Sequence, residues 1–156
     1  MSSRFLLIDG YSLAYRCYFA YPLSLSLPDG TPINTVFGFL TLLFNAIDQF
    51  SPTHLAVCFD RKEPTFRHQA YTEYKANRAK APDDFIAQIP LLRDALTEVG
   101  IPQVDCAGYE ADDIIGTLST ASDAASSTCK TFIVTGDQDA FQLISDQTSV
   151  VLNQKG

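Results

Sequence analysis

The chain has 156 residues, of which 46% are hydrophobic, and this suits one domain with a substantial buried core. The formal net charge of -7 argues, taken alone, against a uniformly basic surface of the kind that binds nucleic acid. No apolar stretch approaches the ~20 residues of a membrane-spanning helix, and Asp9 and Arg16 interrupt any signal peptide, so we expect a cytoplasmic protein without membrane contact.

Short apolar runs alternate with longer segments of helical period, a pattern that predicts βαβ units and a parallel sheet. The predicted strands, rich in Ile, Val or Phe, are 5–8, 55–59, 101–104, 131–135 and 150–152. The predicted helices are 35–50, 84–99, 109–122 and 138–144, and 122–129 is predicted as a loop. Continuous apolar strands of this kind are typical of a sheet covered by helices on both faces.

Residues 60–82 have no clear apolar period and are polar, basic and aromatic. Within them, Glu63 and Glu73 oppose a larger set of basic side chains, which are Arg61, Lys62, Arg67, His68, Lys75, Arg78 and Lys80. We expect a mobile segment over one edge of the sheet. From charge alone, a solvated basic loop and a nucleic-acid contact explain this segment equally well.

Acidic residues follow three of the predicted strands. Asp9 ends the first run, Asp60 follows the second, and Asp137 follows the fourth with Asp139 two residues later. In a parallel sheet all carboxyl ends lie along one edge, where ligand sites form. These three strands therefore deliver acids to one place.

A further acidic group, Gly108-Tyr-Glu110-Ala-Asp112-Asp113, opens the helix that follows the third strand. Glu110 and Asp113 are three residues apart and share a helix face, and Asp112 could join the cluster. Each acid alone could equally be a helix cap or a first-turn residue. Seven converging carboxylates would repel, however, and Mg²⁺ or Mn²⁺ would neutralise them. Two such ions ~4 Å apart could hold the attacking and leaving oxygens of a phosphodiester.

Several motifs resemble those of the flap endonuclease and 5′-exonuclease family, most closely the nuclease domain attached to bacterial DNA polymerase I. In chain order they are Leu7-Ile-Asp9-Gly-Tyr-Ser-Leu-Ala-Tyr-Arg16, Phe59-Asp60, Thr65-Phe-Arg-His, Tyr74-Lys-Ala-Asn-Arg78, Gly108-Tyr-Glu-Ala-Asp-Asp-Ile-Ile-Gly116 and Val134-Thr-Gly-Asp-Gln-Asp139. The resemblance implies an α/β, PIN-like domain, with a central and mostly parallel sheet flanked by helices. It also implies a metal-dependent 5′-3′ exonuclease or flap endonuclease.

The family's substrates imply DNA with a 5′ flap or nick, and RNA primers, during replication and repair. The resemblance implies a monomer fused to a polymerase and binding two ions, Mg²⁺ or Mn²⁺. It assigns Lys75 and Arg78 to the scissile phosphate, and adds Arg16, Arg67 and Tyr74 as DNA contacts. The implied metal ligands are Asp9, Asp60, Glu110, Asp112, Asp113, Asp137 and Asp139.

The family continues into a helix–turn–helix region and a Gly-Asp-x-x-Asp-Asn pattern, which does not occur between Asp139 and Gly156. We therefore expect residues 1–156 to be the N-terminal part of the domain, incomplete at its C-terminus and weakly active alone. A PIN-type ribonuclease is the closest alternative. Two further alternatives are a phosphorylation-receiver domain and an aspartyl phosphatase. Both require an acidic pair after the first strand, where this chain has only Asp9. The four cysteines form no CxxC pair, so we expect no zinc site.

Overall fold

The computed structural model of the protein describes residues 2–76 and 78–153. The strands are β1 Arg4–Asp9, β2 His54–Cys58, β3 Gln103–Val104, β4 Lys130–Thr135 and β5 Thr148–Leu152. The helices are α1 Gly10–Ala20, α2 Asn34–Phe50, α3 Phe66–Ala70, α4 Asp83–Glu98 and α5 Ala111–Ala125, with a 3₁₀ helix at Gln138–Leu143. Within these ranges, no helix combines the length and apolar character that crossing a membrane requires.

The predicted parallel sheet is confirmed. Its strand order is β3-β2-β1-β4-β5, and every neighbouring pair is parallel. This order differs from the flavodoxin-like 2-1-3-4-5 arrangement of receiver domains, so the receiver alternative is wrong. The order reverses between β1 and β4, and ligands of such sheets bind beyond the carboxyl ends of the strands at that point.

Strand β1 lies at the centre of the sheet and is covered on both faces. Leu6 and Ile8 are fully buried in a core formed with α1, α2 and α4, and Leu7 is buried on the opposite face against α5. Successive side chains of a strand point to opposite faces, so the continuous apolar run of β1 fills both cores. This packing fixes Asp9, the last residue of β1, at the carboxyl edge of the sheet.

Several elements differ from the sequence predictions, and strand β3 is confined to Gln103–Val104 where 101–104 was predicted. Helix α1 begins directly after Asp9, where the sequence predicted no helix. Leu13 and Cys17 form only a narrow buried stripe on this helix, so its apolar period is weak. Helix α5 continues to Ala125, so the start of the predicted loop is helical, as its Ala and Ser residues permit. The predicted helix at 138–144 is a short 3₁₀ helix.

The basic segment, residues 60–82, contains helix α3 and a series of turns. Thr65 caps α3, and its backbone N–H donates to Nδ1 of His68 at 3.1 Å. No apolar period marked this helix, because none of its residues is buried. The mobility of the segment stays a prediction.

Candidate metal centre

A cavity of about 400 Å³ opens at the carboxyl edge of the sheet. Five acidic residues line it, and they are Asp9, Asp60, Glu110, Asp112 and Asp137. They meet because β1 ends at Asp9, β2 and β4 end two residues before Asp60 and Asp137, and α5 begins just after Glu110. Basic side chains line the same cavity, and they are Arg16, Lys75 and Arg78. The structure thus gathers most of the acids that the sequence singled out, and we call this space the acidic cavity.

Asp9 is the most buried aspartate of the acidic cavity, with 4% of its surface exposed. The Thr135 hydroxyl donates a hydrogen bond to its Oδ2 at 2.8 Å. Burial raises the pKa of Asp9 to about 7, the charges of Asp112 and Asp60 add to the rise, and the Thr135 hydrogen bond opposes it. Without a counter-ion, this carboxylate therefore holds its negative charge at a high energetic cost.

Asp112 lies in the first turn of α5 and faces several other acids. Its pKa is raised to about 6, first by desolvation and then by the charges of Asp137, Asp60 and Glu110. A carboxylate whose pKa is raised by burial and by neighbouring acids is a frequent feature of functional sites. A divalent cation would relieve the repulsion that contributes to this rise.

Asp60 joins strand β2 to helix α5. Its Oδ1 accepts a hydrogen bond from the backbone N–H of Ala111, the first residue of α5, at 2.9 Å. An acceptor at this position satisfies one of the N–H groups that a helix leaves unpaired at its start. Asp60 therefore has a structural partner as well as a place in the acidic cavity.

The Glu110 carboxylate is enclosed by side chains of the basic segment. Its Oε1 lies 2.6 Å from Nζ of Lys75, and the Tyr74 hydroxyl lies 3.2 Å from both carboxylate oxygens. Arg67 Nη1 lies 3.4 Å from Oε2. Lys75 adopts a left-handed backbone with φ of 59°, which is unfavourable for a residue with a Cβ atom. These contacts with Glu110 hold Lys75 in that conformation.

Two predicted metal ligands do not line the acidic cavity. Arg67 donates two hydrogen bonds to the Asp113 carboxylate, at 2.7 and 2.8 Å, and this pairing lowers the pKa of Asp113. Asp113 also accepts from the backbone N–H of Glu110, which closes a capping box on α5. Asp139 is exposed and lines a small neighbouring cavity that shares Asp112 with the acidic cavity, and its backbone N–H donates to Asp137.

The remaining acids fit a hard divalent cation by their chemistry, because they are all oxygen donors and two of them have raised pKa values. Over residues 2–76 and 78–153, no three His, Cys, Asp or Glu side chains already stand close enough to form a metal site. Their hydrogen bonds to Thr135, Ala111 and Lys75 draw the carboxylates towards different neighbours. A cation must therefore compete with these partners.

A larger cavity of about 1020 Å³ adjoins the acidic cavity, between the basic segment and α4. The two share Tyr11, Asp60, Lys75, Arg78 and Glu110. Sequence reasoning did not single out Tyr11, although its place two residues after Asp9 was a usable signal. The two cavities therefore adjoin each other, and both are lined by acidic and basic side chains.

Sequence reasoning also missed two hydroxyls that support the acids. Thr135 binds Asp9, and Ser12 accepts a hydrogen bond from the backbone N–H of Gly136 at 3.2 Å. Their positions in the sequence could have indicated them, because Ser12 follows Asp9 by three residues and Thr135 precedes Asp137 by two. Arg16, predicted as a DNA contact, donates to the backbone carbonyls of Gly136 and Asn153, and its contact with DNA stays a prediction.

Comparisons with known proteins agree with this architecture. Residues 4–156 match the family described as 5′-3′ exonuclease, N-terminal resolvase-like domain. A 5′-3′ exonuclease of Bacillus subtilis (strain 168) is 40% identical over 158 residues, covering 99% of this chain and 52% of that protein. DNA polymerase I of the same strain is 41% identical over 153 residues, covering 98% of this chain and 17% of that protein. The chain therefore spans about half of the first relative and a small part of the second.

Solved structures share the fold. A bacteriophage T5 flap endonuclease in a complex with DNA and metal ions has a TM-score of 0.71 at 20% identity, covering 94% of this chain and 54% of that one. The catalytic core of Rad2 in complex with DNA substrate has a TM-score of 0.55 at 18% identity, covering 97% of this chain and 44% of that one. At these identities the likeness concerns the fold alone.

Proposed function

Because the chain belongs to the family of 5′-3′ exonucleases with an N-terminal resolvase-like domain, we propose that it is a divalent-metal-dependent 5′-nuclease acting on DNA. Its substrate would be DNA with a 5′ flap or nick, or an RNA primer, and in the whole protein it would work as a monomer beside a polymerase. The observation that carries the proposal is the meeting of five carboxylates and two basic side chains of the basic segment at one cavity.

We propose that Asp9, Asp112 and Asp137, with Asp60, hold Mg²⁺ or Mn²⁺. All four line the acidic cavity, and Asp9 and Asp112 have the raised pKa values that a cation would relieve. When bound, divalent ions supply charge stabilisation to the attacking and leaving oxygens of a phosphodiester. Two ions, the metal roles of Glu110, Asp113 and Asp139, and further ligands beyond Gly156 stay predictions.

The basic segment would position the phosphate. Arg78 lines both cavities and has no ion-pair partner in the part of the chain that the structure describes. Its guanidinium can therefore donate to a phosphate, for which its planar fork is well suited. Lys75 reaches the same cavity while bound to Glu110. Together they would stabilise charge that develops on the scissile phosphate.

The larger cavity gives the nucleic acid a path to the acids. Lys62 and Arg93 line it, Arg93 being paired with Asp105, and Arg78 lines both this cavity and the acidic cavity. Arg67 donates to Asp113, and the Tyr74 hydroxyl donates to Glu110. The first role of Arg67 and Tyr74 would therefore be to hold the basic segment in place. Their contacts with DNA stay predictions.

The test is a cleavage assay on a 5′-flap DNA with Mg²⁺, Mn²⁺ or a chelator. Asp112→Asn should lower the single-turnover rate by roughly two orders of magnitude or more, because it removes a proposed metal ligand. Asp146→Asn, at an exposed aspartate outside both cavities, is the matched control and should leave the rate unchanged. Undiminished cleavage by Asp112→Asn would refute the site, and faster cleavage of single-stranded RNA would favour the PIN-type ribonuclease.

A further inference from the structure

The Arg16 side chain spans from helix α1 to the ends of two strands. Its Nη2 donates to the carbonyl oxygen of Gly136 at 2.7 Å, and its Nη1 donates to the carbonyl of Asn153. Gly136 directly follows β4, and Asn153 directly follows β5. A guanidinium can make both bonds at once because its donors form a rigid planar fork. Arg16 therefore ties α1 to both strand ends.

The backbone of Gly136, the residue before Asp137, is held at both its N–H and its carbonyl group. Ser12, on α1, accepts from the backbone N–H of Gly136, while Arg16 donates to its carbonyl. A Cβ atom at Gly136 would come within 2.7 Å of Arg16 Cδ and 2.9 Å of Ser12 Oγ, so any larger residue there would displace these side chains. The backbone of Gly136 is thus fixed by two side chains of one helix.

The same turn connects Asp137 to Asp9. The Thr135 hydroxyl donates to the Asp9 carboxylate at 2.8 Å and accepts from the backbone N–H of Asp137 at 3.0 Å. Movement of the Gly136 peptide would therefore displace Asp137 and disturb the hydrogen bond that orients Asp9. Two acids from different strands depend on one turn, and Arg16 holds that turn.

We infer that Arg16 is a positioning residue for the acidic cavity: by binding the Gly136 carbonyl it sets Asp137 and so raises the affinity of the cavity for a divalent cation. This inference rests on the proposed function, because it concerns the same metal site. It assigns Arg16 a role through the protein backbone in place of the DNA contact expected from sequence. Supporting residues around metal ligands typically contribute about 10–100-fold to metal affinity.

Charge and position predict opposite results, which makes the inference testable. Arg16 also lines the acidic cavity, so the loss of its positive charge alone should strengthen cation binding. If position dominates, both Arg16→Gln and Arg16→Lys should weaken it, because neither keeps the two-carbonyl fork. The measurement is calorimetric titration of the metal-free chain with Mn²⁺, without DNA.

We expect both variants to bind Mn²⁺ about 10–100-fold more weakly than the wild-type chain. DNA binding in chelator should keep its salt dependence in Arg16→Gln, whereas loss of a phosphate contact would reduce the slope by about one. Arg78→Gln is the reverse control, because it should reduce the salt slope without weakening Mn²⁺ binding.

Gly136→Ala provides a second variant in case Arg16 is needed for folding. It keeps Arg16 but pushes on its Cδ, so it should weaken Mn²⁺ binding in the same direction while melting in chelator shows a folded chain. If the Arg16 variants fold and bind Mn²⁺ as tightly as the wild-type chain or more tightly, the inference is overturned but the proposed function is not. If they do not fold, the same result for Gly136→Ala has the same meaning. Wild-type binding that Asp112→Asn does not reduce would overturn the proposed function as well.

Discussion

The ammonium group of Lys75 lies 2.6 Å from Oε1 of Glu110, so a base predicted to act on the phosphate is bound to an acid predicted to act on the metal. Only 9% of the Glu110 side chain is exposed, whereas 31% of the Lys75 side chain is, so removal of the ammonium group would leave a buried carboxylate without its partner. The ion pair therefore connects the basic segment to helix α5 and holds the wall between the two cavities.

Glu110→Gln should loosen the basic segment. It removes the charge that holds Lys75 in its left-handed conformation and that Arg67 also approaches. We expect trypsin to cut within residues 61–80 several-fold faster in the variant than in the wild-type chain, since local opening governs such cleavage. Glu98→Gln, at an exposed position on α4, should leave the cleavage rate unchanged, and equal rates in all three proteins would contradict the prediction.

The metal-free protein should lose stability as the pH rises from about 4 to above 7. The folded-state pKa of Asp9 is about 7 and its ordinary value is 3.8, so in this range the folded state binds more protons than the unfolded state. Asp9→Asn should remove much of this dependence and raise the free energy of unfolding at pH 8 by about 2–4 kcal/mol. Urea unfolding in chelator at pH 5 and pH 8 measures both effects.

The control for this pH dependence is Asp94→Asn, at an exposed aspartate of α4, which should keep the wild-type slope. Asp112 contributes in the same direction, because its pKa is also raised. An Asp9→Asn slope equal to that of the wild-type chain would contradict the prediction.

Adding Mg²⁺ or Mn²⁺ should raise the melting temperature. A ligand that binds only the folded state at 100 times its Kd adds about 2.7 kcal/mol, which corresponds to roughly 5–10 °C for a domain of this size. The same addition to Asp112→Asn should give a much smaller shift, because a carboxylate of the acidic cavity is missing. NaCl at matched ionic strength separates this effect from screening, and an unshifted wild-type curve would exclude a metal site.

Arg78→Ala should affect cleavage more than folding. Arg78 is exposed and lines both cavities, so its loss removes a phosphate donor without leaving a buried partner. We expect the single-turnover rate to fall about tenfold or more, and the free energy of unfolding to change by less than ~0.5 kcal/mol.

The control for Arg78 is Lys62→Ala, at an exposed residue of the larger cavity only, which should change the rate much less. Lys75→Ala should in addition lower stability, because it leaves Glu110 buried without its ammonium partner. A stable Arg78→Ala chain with an undiminished rate would contradict the assignment.

The parallel sheet and the convergence of its acids could be predicted from sequence because both depend on local pattern. Apolar runs mark the strands, and Asp9, Asp60 and Asp137 follow three of them closely. Once the strands are parallel, their ends must meet at one edge. Helix α1 was not predicted, because Leu13 and Cys17 are buried only by contact with α2 and the sheet. The local sequence pattern does not reveal these contacts.

The sequence by itself determined which acids reach the edge of the sheet, and only the tertiary structure decided their partners. Asp113 and Glu110 lie in one helical turn, yet Asp113 is paired with Arg67 and Glu110 lines the acidic cavity. Arg16 binds a carbonyl 120 residues away instead of facing the acids alone. Such pairings depend on the direction of each side chain after the helices have packed, because neighbours in a strand or helix do not specify which distant group will lie within hydrogen-bond reach.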